Sequence, residues 1–93
     1  MSVPSLDSRP RLLPGCRLNE KARQPRVLLM PERALRLSGP SLEIIERCDG
    51  NHTVREIVTE LQKLYSKAEP QKVETDIVDY LARLNEERAL DFD

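Results

Sequence analysis

The stretch DGNHTVREIVTEL, residues 49–61, constrains the fold most, because it predicts where one helix ends and the next begins. Thr53 and Glu56 have the spacing of a capping box, in which the threonine side chain accepts a hydrogen bond from the Glu56 backbone N–H and the glutamate accepts one from the Thr53 N–H. Gly50 can adopt the left-handed backbone that ends a preceding helix. Two helices are therefore predicted to meet at a tight corner.

Three short strands are predicted before this corner. Apolar runs and turn residues place them at residues 16–18, 27–30 and 34–37, joined by a loop over residues 19–25 and a tight turn over residues 31–33. The second strand is apolar on both faces, which is typical of a central strand. The third strand is then an edge, and its outer backbone groups have no partner in the chain's own sheet.

Three helices with apolar stripes are also predicted. The first runs from Ser38, which can cap a helix, to about Cys48, the second runs from the capping box to about Lys67, and the third runs from near Pro70 to about Glu87. The apolar positions of the three helices are Leu42, Ile44, Ile45 and Cys48; Val54, Ile57, Val58, Leu61 and Leu64; and Val73, Ile77, Leu81 and Leu84.

The order of these elements predicts an α+β fold. It is winged helix-turn-helix-like, with a three-stranded antiparallel sheet followed by three helices. A short extended segment through Leu90 and Phe92 is expected after the last helix. Several prolines, with Ser and Arg between them, predict a flexible N-terminal arm over residues 1–15, so a single domain is expected over residues 16–93.

The charge distribution argues against a protein that reads DNA. Residues 1–37 carry eight Lys or Arg against three Asp or Glu, whereas residues 38–93 carry seven against thirteen. The third helix would lie in the major groove of a DNA reader, yet residues 70–87 contain two basic and five acidic side chains. Because Lys and Arg supply most non-specific DNA affinity, such a helix would repel the duplex. A small winged-helix DNA-binding regulator that uses its basic arm remains the alternative hypothesis.

The sequence predicts neither an enzyme nor a metal or cofactor site. His52 is the only histidine, and Cys16 and Cys48 lack zinc-site spacing, so they are interpreted as reduced thiols. Three glycines cannot form a glycine-rich phosphate loop. The N-terminal residues contain no apolar run typical of a signal sequence or a membrane span, so we expect a cytoplasmic protein that does not bind membranes. From the charge distribution we also expect that it does not bind nucleic acid.

Three segments, in this order and spacing, resemble one protein family over about residues 10–91. They are PER-x-LRLS at residues 31–38, DGNHTVREIVTEL, and VETDIVDYLARLNEERAL at residues 73–90, and they resemble the PqqD family of pyrroloquinoline quinone (PQQ) biosynthesis proteins. The resemblance implies a peptide chaperone that binds the precursor peptide PqqA and presents it to the radical S-adenosylmethionine enzyme PqqE. The same fold serves as the leader-peptide recognition element of other modified-peptide pathways. Any iron–sulfur cluster or S-adenosylmethionine would belong to the partner enzyme.

The resemblance also implies a place for the peptide, which the family holds as an added strand beside the third strand, in a groove completed by the third helix. An unpaired edge strand suits this mode, because its backbone groups can pair with an extended peptide. The implied pairing edge is Arg33, Ala34, Leu35, Arg36 and Leu37, and the implied opposite wall is Val73, Asp76, Ile77 and Tyr80. Side chains 33, 35 and 37 are expected on one face of the strand and 34 and 36 on the other.

These site residues have structural alternatives. Leu35 and Ile77 lie on apolar stripes and can belong to the core. Asp76 can orient the N-terminal part of the third helix or pair with an arginine of the sheet. Arg33 and Arg36 can instead protect the edge against wrong pairing. Arg33 also departs from the small residue or glycine common in the family, which would change the charge of the groove.

The same unprotected edge leaves the oligomeric state open between a monomer and a homodimer. In a homodimer, two copies would pair through the third strand or exchange their N-terminal arms.

Overall fold

The computed structural model describes residues 4–19, 27–37 and 40–92. The elements in chain order are β1 (Pro10–Leu12), β2 (Arg17–Leu18), β3 (Val27–Leu29), β4 (Ala34–Arg36), α1 (Ser41–Glu46), α2 (Val54–Leu64), α3 (Pro70–Glu86) and β5 (Leu90–Phe92). Strands β2, β3 and β4 form an antiparallel sheet in that order, and β1 pairs with β5. This confirms the predicted α+β fold, with a three-stranded antiparallel sheet before three helices.

The three-stranded sheet has one face on the core. Leu28 of β3 pairs with Leu18 on one side and Leu35 on the other, so these three leucines share a face. Leu28 is fully buried, and Leu18 and Leu35 are half-buried against the core. β3 is therefore the central strand, as predicted. Most of the predicted loop, residues 20–25, lies outside the described residues.

The helices bury most of the predicted apolar stripes. The buried helical side chains are Ile44 and Ile45 of α1; Val54, Ile57, Val58 and Leu61 of α2; and Ile77, Leu81 and Leu84 of α3. The assignment of Leu64 to the stripe of α2 was wrong, because 57% of its surface is exposed. Leu64 is the last residue of α2, where the chain leaves the helix packing.

The start of α1 is later than predicted. Ser38, the predicted cap, lies outside the described residues, and the first helical residue is Ser41. Pro40 precedes it and makes no side-chain capping hydrogen bond. The helix ends at Glu46, so Cys48 lies just beyond it.

The N-terminal segment differs from the predicted loose arm. β1 pairs with β5 in the register Pro10↔Phe92. The Val54 and Arg55 N–H groups at the start of α2 donate to the Ser8 and Leu6 carbonyls, both at 2.9 Å. The first N–H groups of a helix lack partners within the helix, so residues 6–8 satisfy two of them. Prolines interrupt helices and central strands, but the extended backbone that they favour also suits this packing.

The corner between α1 and α2 confirms the capping box. The Glu56 N–H donates to Thr53 Oγ1 at 3.1 Å, and the Thr53 N–H donates to Glu56 Oε1 at 2.8 Å. Gly50 has a φ of 80°, the left-handed backbone that few other residues adopt easily. These features are local, and β1 adds long-range support, because the Leu12 N–H donates to the Cys48 carbonyl and the Gly50 N–H donates to the Pro10 carbonyl.

His52 adds a charged network to this corner. Its Nδ1 lies 3.0 Å from Asp49 Oδ2, and its Nε2 lies 3.5 Å from Glu60 Oε2. Arg47 Nε donates to Glu60 Oε1 at 3.0 Å, which links the end of α1 to α2. The hydrogen bond to Asp49 is the main cause that raises the pKa of His52, and the charges of Asp49, Glu60 and Glu56 add to it.

This raised pKa predicts a stability that falls with rising pH. The folded state favours protonated His52. The resulting stabilisation is fully present below the ordinary histidine pKa of about 6.5 and is lost as the pH rises through the pKa of His52 in the folded state. Urea denaturation at several pH values between 5.5 and 9 measures this loss. Subtracting the profile of a His52→Gln variant isolates the histidine, because Asp49 and Glu56, whose pKa values His52 lowers, stay ionised in both proteins over this pH range. Parallel profiles for the two proteins would contradict the prediction.

Candidate functional site

β4 is an open edge, because no other strand among the described residues pairs with its outer side. The Met30 N–H donates to the Arg33 carbonyl at 2.8 Å and closes the hairpin between β3 and β4. Since backbone groups alternate in direction along an antiparallel strand, Arg33 and Leu35 face β3, whereas Ala34 and Arg36 direct their N–H and C=O groups outward. Both of these residues are exposed. The edge thus offers two donors and two acceptors to an extended chain.

The side chains of the predicted edge divide between core and solvent. Leu37 is buried and Leu35 is half-buried against the core, so their side chains belong mainly to packing. Arg33, Ala34 and Arg36 are exposed. The alternative interpretation of Leu35 as a core residue therefore fits its burial, while its strand still carries the edge.

One ion pair connects this edge to α3. Arg33 Nη2 lies 3.2 Å from Glu87 Oε1, just after the end of α3. Asp76 instead lies 3.7 Å from Lys72, one turn earlier on α3. Among the described residues no arginine of the sheet pairs with Asp76, so the alternative in which it does is not supported, whereas Glu87 pairs with Arg33.

The four predicted wall residues of α3 come together in one groove of about 300 Å³. Val73, Asp76, Ile77 and Tyr80 all line it. The other side is formed mainly by Ser41, Ile44, Leu61 and Tyr65, which the sequence argument did not include. No residue of β4 lines this groove, so the predicted site consists of two parts, an edge and a helical groove.

Both tyrosines of the chain line the groove. The Tyr65 hydroxyl donates to Glu43 Oε1 at 2.9 Å, and this hydrogen bond is the main cause that raises the pKa of Tyr65. Burial raises the pKa of Tyr80, and the nearby Ser41 side chain partly opposes this rise. The Tyr65 ring is therefore fastened to α1 through its hydroxyl, and Tyr80 lines the same groove as Ser41 of α1. The presence of only two tyrosines, one just after α2 and one within α3, was the signal that could have identified Tyr65.

The described residues contain little that suits catalysis. They include no group of three or more His, Cys, Asp or Glu side chains that could hold a metal ion. Burial is the main cause that raises the pKa of Cys48 to about 12, and burial also raises the pKa of Cys16, so neither thiol is a ready nucleophile at neutral pH. Among the described helices, none has the length and apolarity to cross a bilayer.

Comparison with known proteins gives consistent matches. The family model described as "Coenzyme PQQ synthesis protein D (PqqD)" matches residues 26–90. A "PqqA binding protein" from Xanthomonas campestris pv. campestris (strain B100) is 36% identical over 91 residues, which cover 97% of this chain and 98% of the relative. A "Bifunctional coenzyme PQQ synthesis protein C/D" from Methylorubrum extorquens is 37% identical over 83 residues, which cover 88% of this chain but 22% of that protein.

A solved structure has the same fold. It is the solution NMR structure of the PqqD truncation of Methylobacterium extorquens PqqCD, described as representing a functional and stand-alone recognition element for ribosomally synthesized and post-translationally modified peptides (RiPPs). The superposition has a TM-score of 0.75 with 34% sequence identity, and it covers 97% of this chain and 95% of the other.

Proposed function

The chain belongs to the PqqD family, and from this membership we propose that it is a peptide chaperone of PQQ biosynthesis that binds a PqqA-type precursor peptide. The observation that carries the proposal is the open edge of β4, which leaves the Ala34 and Arg36 backbone groups directed to solvent. Relatives over nearly the full chain bear the name PqqA binding protein. The protein acts by binding, without catalysis and without a cofactor of its own.

The peptide binds by adding a strand to β4. Its backbone pairs with the outward N–H and C=O groups of Ala34 and Arg36, which supply affinity without depending on sequence. Side chains then select the peptide. Arg36 is exposed and attracts an acidic side chain of the peptide, whereas Arg33 already pairs with Glu87. We therefore propose that Arg36, more than Arg33, selects peptides with an acidic residue.

The bound peptide is then presented to the radical S-adenosylmethionine enzyme PqqE. Strand addition holds one short segment of the peptide and leaves the rest of it free to enter an enzyme. The chemistry of the modification, with its iron–sulfur cluster and S-adenosylmethionine, belongs to that enzyme. We place this step in the cytoplasm, where ribosomally made peptides are released.

Titration calorimetry with a PqqA-type precursor peptide tests the proposal. We expect saturable one-to-one binding, with a peptide of the same composition in scrambled order as the matched control. A random DNA duplex at low salt tests the alternative, since phosphate contacts are strongest there. Salt-sensitive binding of the duplex without binding of the peptide would reject the chaperone function in favour of the DNA-binding regulator.

A further inference from the structure

The α2–α3 junction, residues 63–72, combines full exposure with large apolar side chains. Every residue of this segment is exposed. Leu64 and Tyr65 are the two large hydrophobic residues that stay exposed in the described part of the chain, at 57% and 36%, and they are neighbours in sequence. Single exposed apolar residues are common on protein surfaces, whereas adjacent ones in one exposed segment favour a contact site.

Hydrogen bonds hold the α2–α3 junction in one conformation. The Tyr65 N–H donates to the Leu61 carbonyl at 2.8 Å, and the Ala68 N–H donates to the Tyr65 carbonyl at 2.9 Å. The Gln62 side chain donates to the Pro70 carbonyl at 3.0 Å, which joins α2 directly to the start of α3. A surface that is already ordered loses little conformational entropy when a partner binds to it.

The junction is basic, although the part of the chain around it is acidic. Residues 63–72 contain three lysines and one glutamate, whereas the other residues of the segment 38–93 contain four basic and twelve acidic side chains. Lys72 lies 3.7 Å from Asp76, while Lys63 and Lys67 form no ion pair with any described residue. Since complementary charges guide association, the junction favours a partner whose apolar contact is surrounded by acidic side chains.

We propose that the α2–α3 junction is the surface on which the enzyme that receives the peptide docks. Leu64 enters an apolar pocket of that enzyme, and acidic side chains around the pocket meet Lys63 and Lys67. The inference rests on the proposed function and gives the enzyme a surface of its own, separate from the open edge of β4. Tyr65 and Ala68 also line the helical groove, so an enzyme docked at the junction lies next to the peptide site.

Two other occupants fit the junction less well. In a symmetric dimer the same patch of both copies would meet, so the lysines of one junction would face those of the other. Like charges placed together in this way oppose association. A bilayer surface is bound by a helix with a long apolar face, whereas the apolar part of the junction consists of Leu64 and of Tyr65, whose hydroxyl is held by Glu43.

Binding of a PqqE-type enzyme to the complex of this chain with a PqqA-type peptide tests the inference by titration calorimetry. We expect Leu64→Ser to weaken enzyme binding about tenfold, as loss of a central apolar contact does. We expect Lys67→Glu to weaken it about fivefold, and added salt to weaken the wild type more than this variant. Neither residue lines the helical groove, so peptide affinity and melting temperature stay at their wild-type values.

Arg17→Glu is the matched control for Lys67→Glu. It makes the same change of charge on an exposed residue of β2, which β3 separates from β4. We therefore expect it to leave enzyme binding unchanged. Lys63 is unsuitable for this comparison, because it lies in the last turn of α2 and also stabilises the end of that helix.

The outcomes separate the docking surface from the proposed function. A wild-type chain that binds the peptide but not the enzyme, or variants at Leu64 and Lys67 that bind the enzyme as tightly as wild type, would overturn the inference and leave peptide binding intact. Equal weakening by Lys67→Glu and Arg17→Glu would do the same. Failure of the wild type to bind any peptide would remove the proposed function itself.

Two further measurements exclude the other occupants of the junction. Sedimentation of the peptide-free chain detects a dimer, and flotation with vesicles of phosphatidylglycerol and phosphatidylcholine in equal amounts detects binding to an anionic bilayer. A dimer or a vesicle-bound protein that Leu64→Ser alone abolishes would assign the junction to a second copy or to a membrane. Either result would overturn enzyme docking at this surface.

Discussion

Ala34→Pro is expected to weaken peptide binding at least about tenfold while the melting temperature stays close to that of wild type. The substitution removes an N–H group that points away from the sheet and places a ring where the peptide strand would dock. Loss of one hydrogen bond, with a peptide carbonyl left without a partner, costs about 1–3 kcal/mol, and 1.4 kcal/mol corresponds to a tenfold change in Kd. Calorimetry and thermal melts measure the two quantities.

Leu35→Pro provides the matched control for this prediction. Leu35 directs its N–H toward Leu28 of β3, so proline there removes a hydrogen bond of the sheet itself and adds strain to a half-buried position. We expect the melting temperature to fall markedly in Leu35→Pro and only slightly in Ala34→Pro. An Ala34→Pro protein that binds peptide as tightly as wild type would exclude strand addition at β4.

Leu81→Ala is expected to lower the free energy of unfolding by about 2–5 kcal/mol, the usual cost of removing a buried leucine side chain. Leu81 is fully buried in α3 and belongs to the core shared with α1 and α2. In a domain of this size, each kcal/mol lowers the melting temperature by roughly 4–8 °C. Urea denaturation at fixed pH measures the change, and a loss below about 1 kcal/mol would contradict the packing described here.

The neighbouring residue Tyr80 is the contrasting position for the same helix. It is half-buried and lines the groove, so Tyr80→Ala removes a wall of the groove more than a core side chain. We expect a smaller loss of stability than in Leu81→Ala and a larger loss of peptide affinity. Equal stability losses with unchanged affinity would make Tyr80 a packing residue.

Local patterns predicted the helical corner most accurately. The capping box of Thr53 and Glu56 and the positive φ of Gly50 depend on residues within one turn, so the sequence contains all that determines them. The apolar stripe of α3 likewise identified Ile77, Leu81 and Leu84, because helical periodicity repeats over its 17 residues. Leu64 has the spacing of the α2 stripe but is exposed, because periodicity alone does not show where a helix stops packing against the rest of the domain.

Contacts between distant segments could not be predicted in the same way. The pairing of Pro10 with Phe92 and the hydrogen bond from Arg55 to Leu6 join residues far apart in sequence, and no local pattern encodes them. The two parts of the site differ in the same way. The open edge of β4 could be predicted from the strand order, whereas the inclusion of Tyr65 in the groove depends on how α1, α2 and α3 pack.

The pairing of β1 with β5 brings two distant parts of the chain side by side. Pro10 lies opposite Phe92, so a polypeptide joined after β5 would leave the domain beside β1, whereas residues 6–8 continue to the start of α2. Neither strand contributes a residue to β4 or to the helical groove. A tethered enzyme would therefore leave the peptide site open while raising the effective concentration of bound peptide near its own active site.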